Sequence, residues 1–178
     1  MNIYKIIFSG SGGQGVITAA IVLAEAAALY ENLHAVQAQS YGPEARGGAT
    51  RSDIIISKTP IHYPKVAHPN FLVCLTQESY NKFSNLVIPG GKIVIDSRFV
   101  TPKRAVDASQ KSYPMLETVM EHFENPIVHN ICMLGVTIQL TNIVKPESLM
   151  KIFEERMPPK FVDMNKKALQ LGMELALV

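Results

Sequence analysis

Charge of one sign is scarce in this sequence. Its 178 residues carry 17 basic and 15 acidic side chains, 18 % of the chain, for a formal net charge of +2. So even a balance supplies no one-signed field to draw a protein onto nucleic acid or an anionic membrane, which sets nucleic-acid binding aside. Long hydrophobic runs are missing as well. The most apolar stretch, residues 16–30, is interrupted by Thr18 and Glu25 and is too short to span a bilayer, so no membrane span is expected. The amino terminus runs from Met1 through Phe8 straight into glycine, without the cationic segment, apolar run and small-residue cleavage site of a signal peptide, which implies a cytoplasmic protein. Cysteine is limited to Cys74 and Cys132, far apart and without CxxC spacing. That pattern disfavours a disulfide framework, a zinc knuckle and a self-contained iron-sulfur cluster, and both thiols are expected to be buried. The five histidines, His34, His62, His68, His122 and His129, show no metal-ligand spacing and are expected at the surface or at an interface. His129, beside Asn130, suits either a helix entry or a hydrogen bond near a crevice.

Apolar side chains are plentiful at 47 %, enough for a proper core in one domain spanning residues 1–178. Residues 3–8 form a short apolar run that stops at Ser9-Gly10, the pattern of a strand buried on both faces. Ile17, Ala20, Ile21, Ala24 and Ala28 then fall at helical spacing, and the many alanines would let that helix lie close to a sheet. Residues 34–38, 50–57, 71–75 and 92–96 read as further strands from their β-branched and aliphatic content. In the third of these, counting from residue 3, Arg51 and Asp53 share one side, with Ser52, Ile54 and Ile56 on the other. Tyr80, Phe83 and Val87 mark a helical stripe, and Pro89-Gly90-Gly91 turns the chain into a strand whose last residue, Asp96, sits at a carboxyl edge. The last third reads as helices, with stripes at Ile131, Leu134 and Ile138, at Leu149, Phe153 and Met157, and at Phe161, Met164, Ala168, Leu171 and Leu175. Asn130 suits the N-cap of the first and Pro146 the opening turn of the second. Glu117, Glu121 and Glu124 make a spaced acidic face with no partner, expected in solvent. Together these elements imply an α/β fold: one doubly wound, mostly parallel, Rossmann-like sheet with helices on both faces and a helical C-terminal third.

Two passages carry chemistry. Gly10, Gly12, Gly13, Gln14 and Gly15 satisfy G-x-G-x-x-G directly after a buried strand and at the opening of a helix, where backbone N–H groups converge on an anion. A nicotinamide cofactor would further call for a carboxylate at the end of the second strand, and that strand ends in Gln37, Ala38 and Gln39. No Gly-Lys-Ser/Thr follows, so a P-loop is excluded. The purely structural alternative is that the glycines make a tight turn and allow close helix packing. The second passage, residues 39–48, is polar and rich in breakers and includes Tyr41, Glu44 and Arg46. As a loop at a strand's carboxyl end it would stand beside the first, where Arg46 either clamps a phosphate or carboxylate or pairs with Glu44 or another subunit.

The pairing of Gly10-Ser11-Gly12-Gly13-Gln14-Gly15-Val16 with Tyr41-Gly42-Pro43-Glu44-Ala45-Arg46-Gly47-Gly48 resembles the gamma subunit, or gamma domain, of the 2-oxoacid:ferredoxin oxidoreductases, the group acting on pyruvate, 2-oxoisovalerate and 2-oxoglutarate. The likeness extends through residues 54–61, 86–96 and 130–135 and into Asn165, Ala168 and Gly172. It implies a subunit of an enzyme that oxidatively decarboxylates a 2-oxoacid to acyl-coenzyme A, 2-oxoglutarate being favoured. It also implies alpha, beta and ferredoxin-like delta partner chains, and ferredoxin or a similar electron acceptor. Thiamine diphosphate, Mg and [4Fe-4S] clusters would then belong to those partners. This chain's own part is structural and on the coenzyme A side, with Gly10, Gly12, Gly13, Gln14, Gly15, Tyr41, Arg46 and Asn130 as the candidate contacts and no catalytic or metal-ligating residue. Two alternatives remain at this point: the two loops serve only as subunit contact surfaces, or the chain is a self-sufficient Rossmann-type enzyme or anion-binding module.

Overall fold

The computed structural model describes residues 3–39, 49–103 and 105–177. Six strands form one sheet: β1 (Ile3–Gly10), β2 (His34–Gln39), β3 (Thr50–Ser57), β4 (Phe71–Cys74), β5 (Lys92–Asp96) and β6 (Ser109–Tyr113), in the spatial order β2-β3-β1-β4-β5-β6. β1, β4, β5 and β6 pair in parallel, while β3 runs antiparallel to both of its neighbours, β1 and β2. The sheet is thus mostly parallel, as its sequence implied, with one reversal. That reversal agrees with the sequence distance: only ten residues separate Gln39 of β2 from Thr50 of β3, fewer than the dozen or more that the crossover between parallel neighbours takes.

Alternation along each strand sorts the core into two layers. Ile6, Phe8, Ile54, Ile56, Phe71, Val73 and Val94 face one side, against α1 (Val16–Tyr30), α3 (Met115–Phe123), α4 (His129–Thr141), α5 (Pro146–Arg156) and α6 (Pro159–Leu175). Ile7, Ile55, Leu72, Cys74, Ile93 and Ile95 face the other, where α2 (Gln77–Phe83) and connecting segments supply Tyr80, Phe83, Val66 and Val100. Helices do cover both faces, but unequally. α4 is buried almost throughout, from His129 to Ile138, because it lies between the sheet side and α6. Two glycines permit that contact. A Cβ on Gly172 would lie 1.9 Å from the Cys132 carbonyl oxygen, and one on Gly135 would lie 2.2 Å from that of Leu169.

Several sequence expectations shift in detail. Of the expected stripe on α1, Ala20 and Ala24 are buried, together with Ala19, Val22, Leu23, Ala26 and Ala27, whereas Ile21 and Ala28 are exposed. A helix that is apolar nearly all round gives periodicity little to select by. α4 begins at His129 with Val128 at its N-cap, so Asn130 is a helical residue and not the cap. Pro146 does open α5, and Glu117, Glu121 and Glu124 are all exposed. Cys74 and Cys132 are both free and buried.

Candidate functional site

The carboxyl ends of β1, β4 and β5 share one edge of the sheet, and there the glycine turn begins. Gly10 closes β1 and pairs with Thr50 of β3; the neighbouring ladder pairs Gln39 of β2 with Ser52. Both ends of the 40–48 segment therefore reach the same edge as the glycine turn. Tyr41 and Arg46 themselves lie outside the described residues.

The turn is held by its own glutamine. The Ser11 N–H donates to Gln14 Oε1 at 2.7 Å, the Gln14 N–H donates to the Ser11 carbonyl at 3.3 Å, and Gln14 Nε2 donates to the Leu75 carbonyl at 3.4 Å. Gln14 is thus a staple across the turn, a role different from a ligand contact. A Cβ on Gly10 would stand 2.4 Å from Gln14 Oε1 and 3.2 Å from Leu75 Cβ, so a side chain there would displace the glutamine staple. Gly15, at φ 70°, forms the N-cap of α1, and a Cβ there would strike Asn130 Nδ2 at 2.6 Å. Asn130 Nδ2 donates to the Gly15 carbonyl at 3.2 Å, which ties the start of α4 to the start of α1. Gly13 needs glycine for its φ of 88°. Gly12 differs from all of them: its φ is not positive, and a Cβ would meet nothing within 4 Å.

Neither α1 nor α4 has a side-chain cap at its N-terminus. The first-turn N–H groups of α1 lack intrahelical acceptors and carry the positive end of its dipole, whereas α4 continues a 3₁₀ turn at Pro126–Val128, where the His129 N–H donates to the Pro126 carbonyl and the Ile127 N–H to Asn125 Oδ1. Between these ends lies a hollow of about 360 Å³, lined by Gly13, Gln14, Gly15, Leu116, Ile127 and His129. A second, of about 300 Å³, adjoins it beyond Gly13, Gly15 and Ile127 and is bounded by Asn130, Met157, Phe161 and Met164. A larger hollow, about 690 Å³, lies elsewhere, beside Gln39 on the α2 face. Its guanidinium is already committed: Arg51 donates to Asp53 at 2.6 and 3.0 Å and to the Val66 carbonyl. The shared side of Arg51 and Asp53 was legible in the alternation of β3; the hydrogen bonds to Val66, one from Arg51 and one back to Asp53 from the Val66 N–H, were not.

Sequence reasoning missed a buried pair behind the first hollow, of which His129 alone lines the space. Asp96, fully buried at the end of β5, accepts the Arg98 N–H on Oδ1 at 3.0 Å and the Leu116 N–H on Oδ2 at 2.9 Å, so it caps α3. His129, 4 % exposed, has its Nε2 2.8 Å from Asp96 Oδ2. The expectation of surface histidines fails here, because His129 opens α4 and is swung inward over the sheet edge. Asp96 at a carboxyl edge and His129 at a helix entry were each visible separately; only the fold brings them together.

Among the described residues no three His, Cys, Asp or Glu side chains converge as a metal site would require. Cys74 and Cys132 lie on opposite faces of the sheet. Burial pushes both thiols up to about 12, with Asp96 adding to the effect at Cys132 and a hydrogen bond with Ser79 opposing it at Cys74. Such thiols stay protonated and do not suit a cluster. No helix among the described residues is long and apolar enough to cross a membrane.

Residues 5–175 match the family described as pyruvate ferredoxin/flavodoxin oxidoreductase. The 2-oxoglutarate synthase subunit KorC of Methanocaldococcus jannaschii is 44 % identical over 174 residues, covering 97 % of this chain and 93 % of that protein. The crystal structure of a keto/oxoacid ferredoxin oxidoreductase gamma subunit from Geobacter sulfurreducens superposes with a TM-score of 0.88 at 41 % identity, covering 98 % of each chain. A 2-oxoglutarate:ferredoxin oxidoreductase from Magnetococcus marinus, solved with 2-oxoglutarate, coenzyme A and succinyl-CoA bound, shares the fold at a TM-score of 0.88 and 19 % identity. This chain corresponds to 31 % of that longer one.

Proposed function

This chain belongs to the pyruvate ferredoxin/flavodoxin oxidoreductase family as the gamma subunit of a 2-oxoacid:ferredoxin oxidoreductase, 2-oxoglutarate being favoured, and from that premise we propose that its glycine turn forms part of the coenzyme A side of the assembled active site. Gly12 is the observation that carries this reading. The turn's other glycines answer to contacts or conformations inside the chain, whereas Gly12 has neither and stands over open space. A missing side chain with no internal reason favours close approach from outside. The uncapped start of α1 beside it favours an anion, and the phosphates of coenzyme A are of that class. The residues present therefore fit the phosphate portion of the coenzyme. Gly12, Gly13 and Gly15 would offer backbone N–H groups, Gln14 would hold the turn's shape, and Asn130 would fix the two helix starts against each other. Arg46 and Tyr41 are proposed as additional contacts from the neighbouring loop.

The rest of the reaction belongs to partner chains. In the proposed assembly, alpha, beta and ferredoxin-like delta chains hold thiamine diphosphate with Mg and the [4Fe-4S] clusters, which decarboxylate the oxoacid and pass electrons to ferredoxin. The whole of residues 1–178 acts as one domain of that cytoplasmic complex. A self-sufficient nicotinamide enzyme is the weaker reading, since β2 ends in Gln39 without a ribose-binding carboxylate.

Gly12→Asp tests the proposal, because the open space admits the side chain while its charge opposes a phosphate. In the assembled complex, with viologen reduction as readout, KM for coenzyme A is expected to rise about tenfold or more, the equivalent of roughly 1.4 kcal/mol, with KM for 2-oxoglutarate unchanged. Unchanged kinetics would remove the turn from the coenzyme site, and failure of the partner chains to co-purify with this variant would make it a subunit contact surface instead.

A further inference from the structure

The sheet has two outer strands, β2 and β6, and each leaves the hydrogen-bonding groups of one side without a neighbouring strand. Such a rim is a template for pairing with another chain, and proteins that stay apart guard it with charge, proline or a bulge. β6 follows that rule: its sequence is polar, and Lys111 stands exposed at its centre. β2 does not. Residues 32–43 contain no Asp, Glu, Lys or Arg, and β2 has neither a proline nor a break in its register with β3. In an antiparallel pair every second residue turns its N–H and C=O away from the paired strand. Among the described residues, no backbone or side-chain group reaches the outward ones of residues 34–38. Side chains add to this. Val36 pairs with Ile55 of the α2-side layer, yet it is half-buried and packs into neither core layer. The last turn of α1, which leads into β2, leaves Ala28 and Leu29 exposed. Unpaired backbone and uncovered apolar side chains thus occur together in and next to β2.

We propose that β2 is the interface between two copies of this chain, paired antiparallel about a two-fold axis perpendicular to the sheet, so that the two sheets run on into one another. Such an axis turns the strand without exchanging its faces. His34, Val36 and Ala38 therefore meet the same set of the copy, and Ala35, Gln37 and Gln39 meet theirs. A charge on the strand would be set against its like near the axis, and β2 bears none. Val36 gains an apolar partner, and the Gln37 amide, with both donor and acceptor groups, complements itself. Charge along the strand is also what would select a different chain, so its absence favours the copy. A stable dimer buries roughly 800 Å² per partner, more than the rim of one strand offers, and the exposed end of α1 at Ala28 and Leu29 belongs to the same interface. The inference goes beyond the coenzyme reading and does not depend on it.

The test uses the full-length chain, with light scattering after size exclusion and hydrogen exchange followed over a range of concentrations. The expected mass is twice that of one chain, falling to that of one on dilution, with amide exchange in residues 34–38 slowed only where the dimer forms. Val36→Lys gives β2 the guard that β6 has. It should weaken dimerisation about tenfold or more with the circular dichroism unchanged; wild-type exchange decides the matter if that variant does not fold. A dimer that survives Val36→Lys uses another surface and overturns the proposal. So does a monomer at every concentration, whether its β2 amides exchange fast or are slowed within the chain. Slowing that appears only when the proposed partner subunits are added gives the rim to them and equally refutes the pairing of copies.

Discussion

Gly172 and Gly12 are glycine for opposite reasons. At Gly172 a Cβ would sit 1.9 Å from the backbone oxygen of Cys132, an atom that moves only if α4 moves; at Gly12 a Cβ would touch nothing within 4 Å. Gly172→Ala should therefore cost at least about 2 kcal/mol, as overpacking against a rigid neighbour does, while Gly12→Ala should leave stability within about 0.5 kcal/mol. Urea midpoints measured on the two variants check this; equal losses would mean that the turn is packed against something within the chain. What the sequence revealed at this scale was the identity of the turn and the burial of both cysteines. What it hid were relations between distant residues. Gln14 reads as a ligand contact until its Oε1 is seen on the Ser11 N–H, and Asn130 reads as a helix cap until α4 is seen to start one residue earlier. Asp96 and His129 are 33 positions apart, and no local pattern couples them.

Helix ends decide much at the scale of elements. α5 begins without a cap of its own at Lys145, and Glu31, just beyond α1, supplies one from across the fold: its Oε1 accepts the Lys145 N–H at 2.8 Å and the Ser148 hydroxyl at 2.6 Å. Partial burial raises this carboxyl's pKa, but the hydrogen bonds from Ser148 and Lys145 and the Lys145 charge outweigh it, so the folded-state pKa lies below the ordinary value. The sign follows directly. Glu31 stabilises the fold above the carboxylate's unfolded pKa, and that contribution is lost as pH falls through its lowered folded value. Because solvent screens this largely exposed carboxylate, Glu31→Gln is expected to cost only about 0.5 kcal/mol at neutral pH, or roughly 1–2 °C in Tm, and nothing in strong acid. Thermal melts across the acid range would expose an equal loss at every pH, which would rule out the charge as the cause. Strand legibility followed apolar and β-branched content: β1, β3, β4 and β5 carry apolar runs and were readable, as was β2, only partly buried, whereas β6, Ser109–Tyr113, is a polar edge strand whose buried side chain is Tyr113 alone. The reversal of β3 was hidden because residue alternation reports which face is buried and not which way the chain runs.

Across the whole molecule, one edge of the sheet gathers the glycine turn, the uncapped start of α1, the start of α4, the Asp96–His129 pair and the ends of β2 and β3. The opposite edge carries no comparable set among the described residues. The wound α/β architecture made this concentration foreseeable, because loops at strand carboxyl ends share a crevice. Its incompleteness inside one chain agrees with a subunit whose site is finished by others. The two cysteines are free and buried in different layers of the core, which agrees with the proposal that partner chains hold the clusters. Hydrogen–deuterium exchange on the assembled complex, with and without coenzyme A, examines that edge without altering a residue. Slowed exchange is predicted in residues 11–18 and 126–131, with the far ends of the strands unchanged. Coenzyme-dependent protection that spares both segments would contradict the assignment.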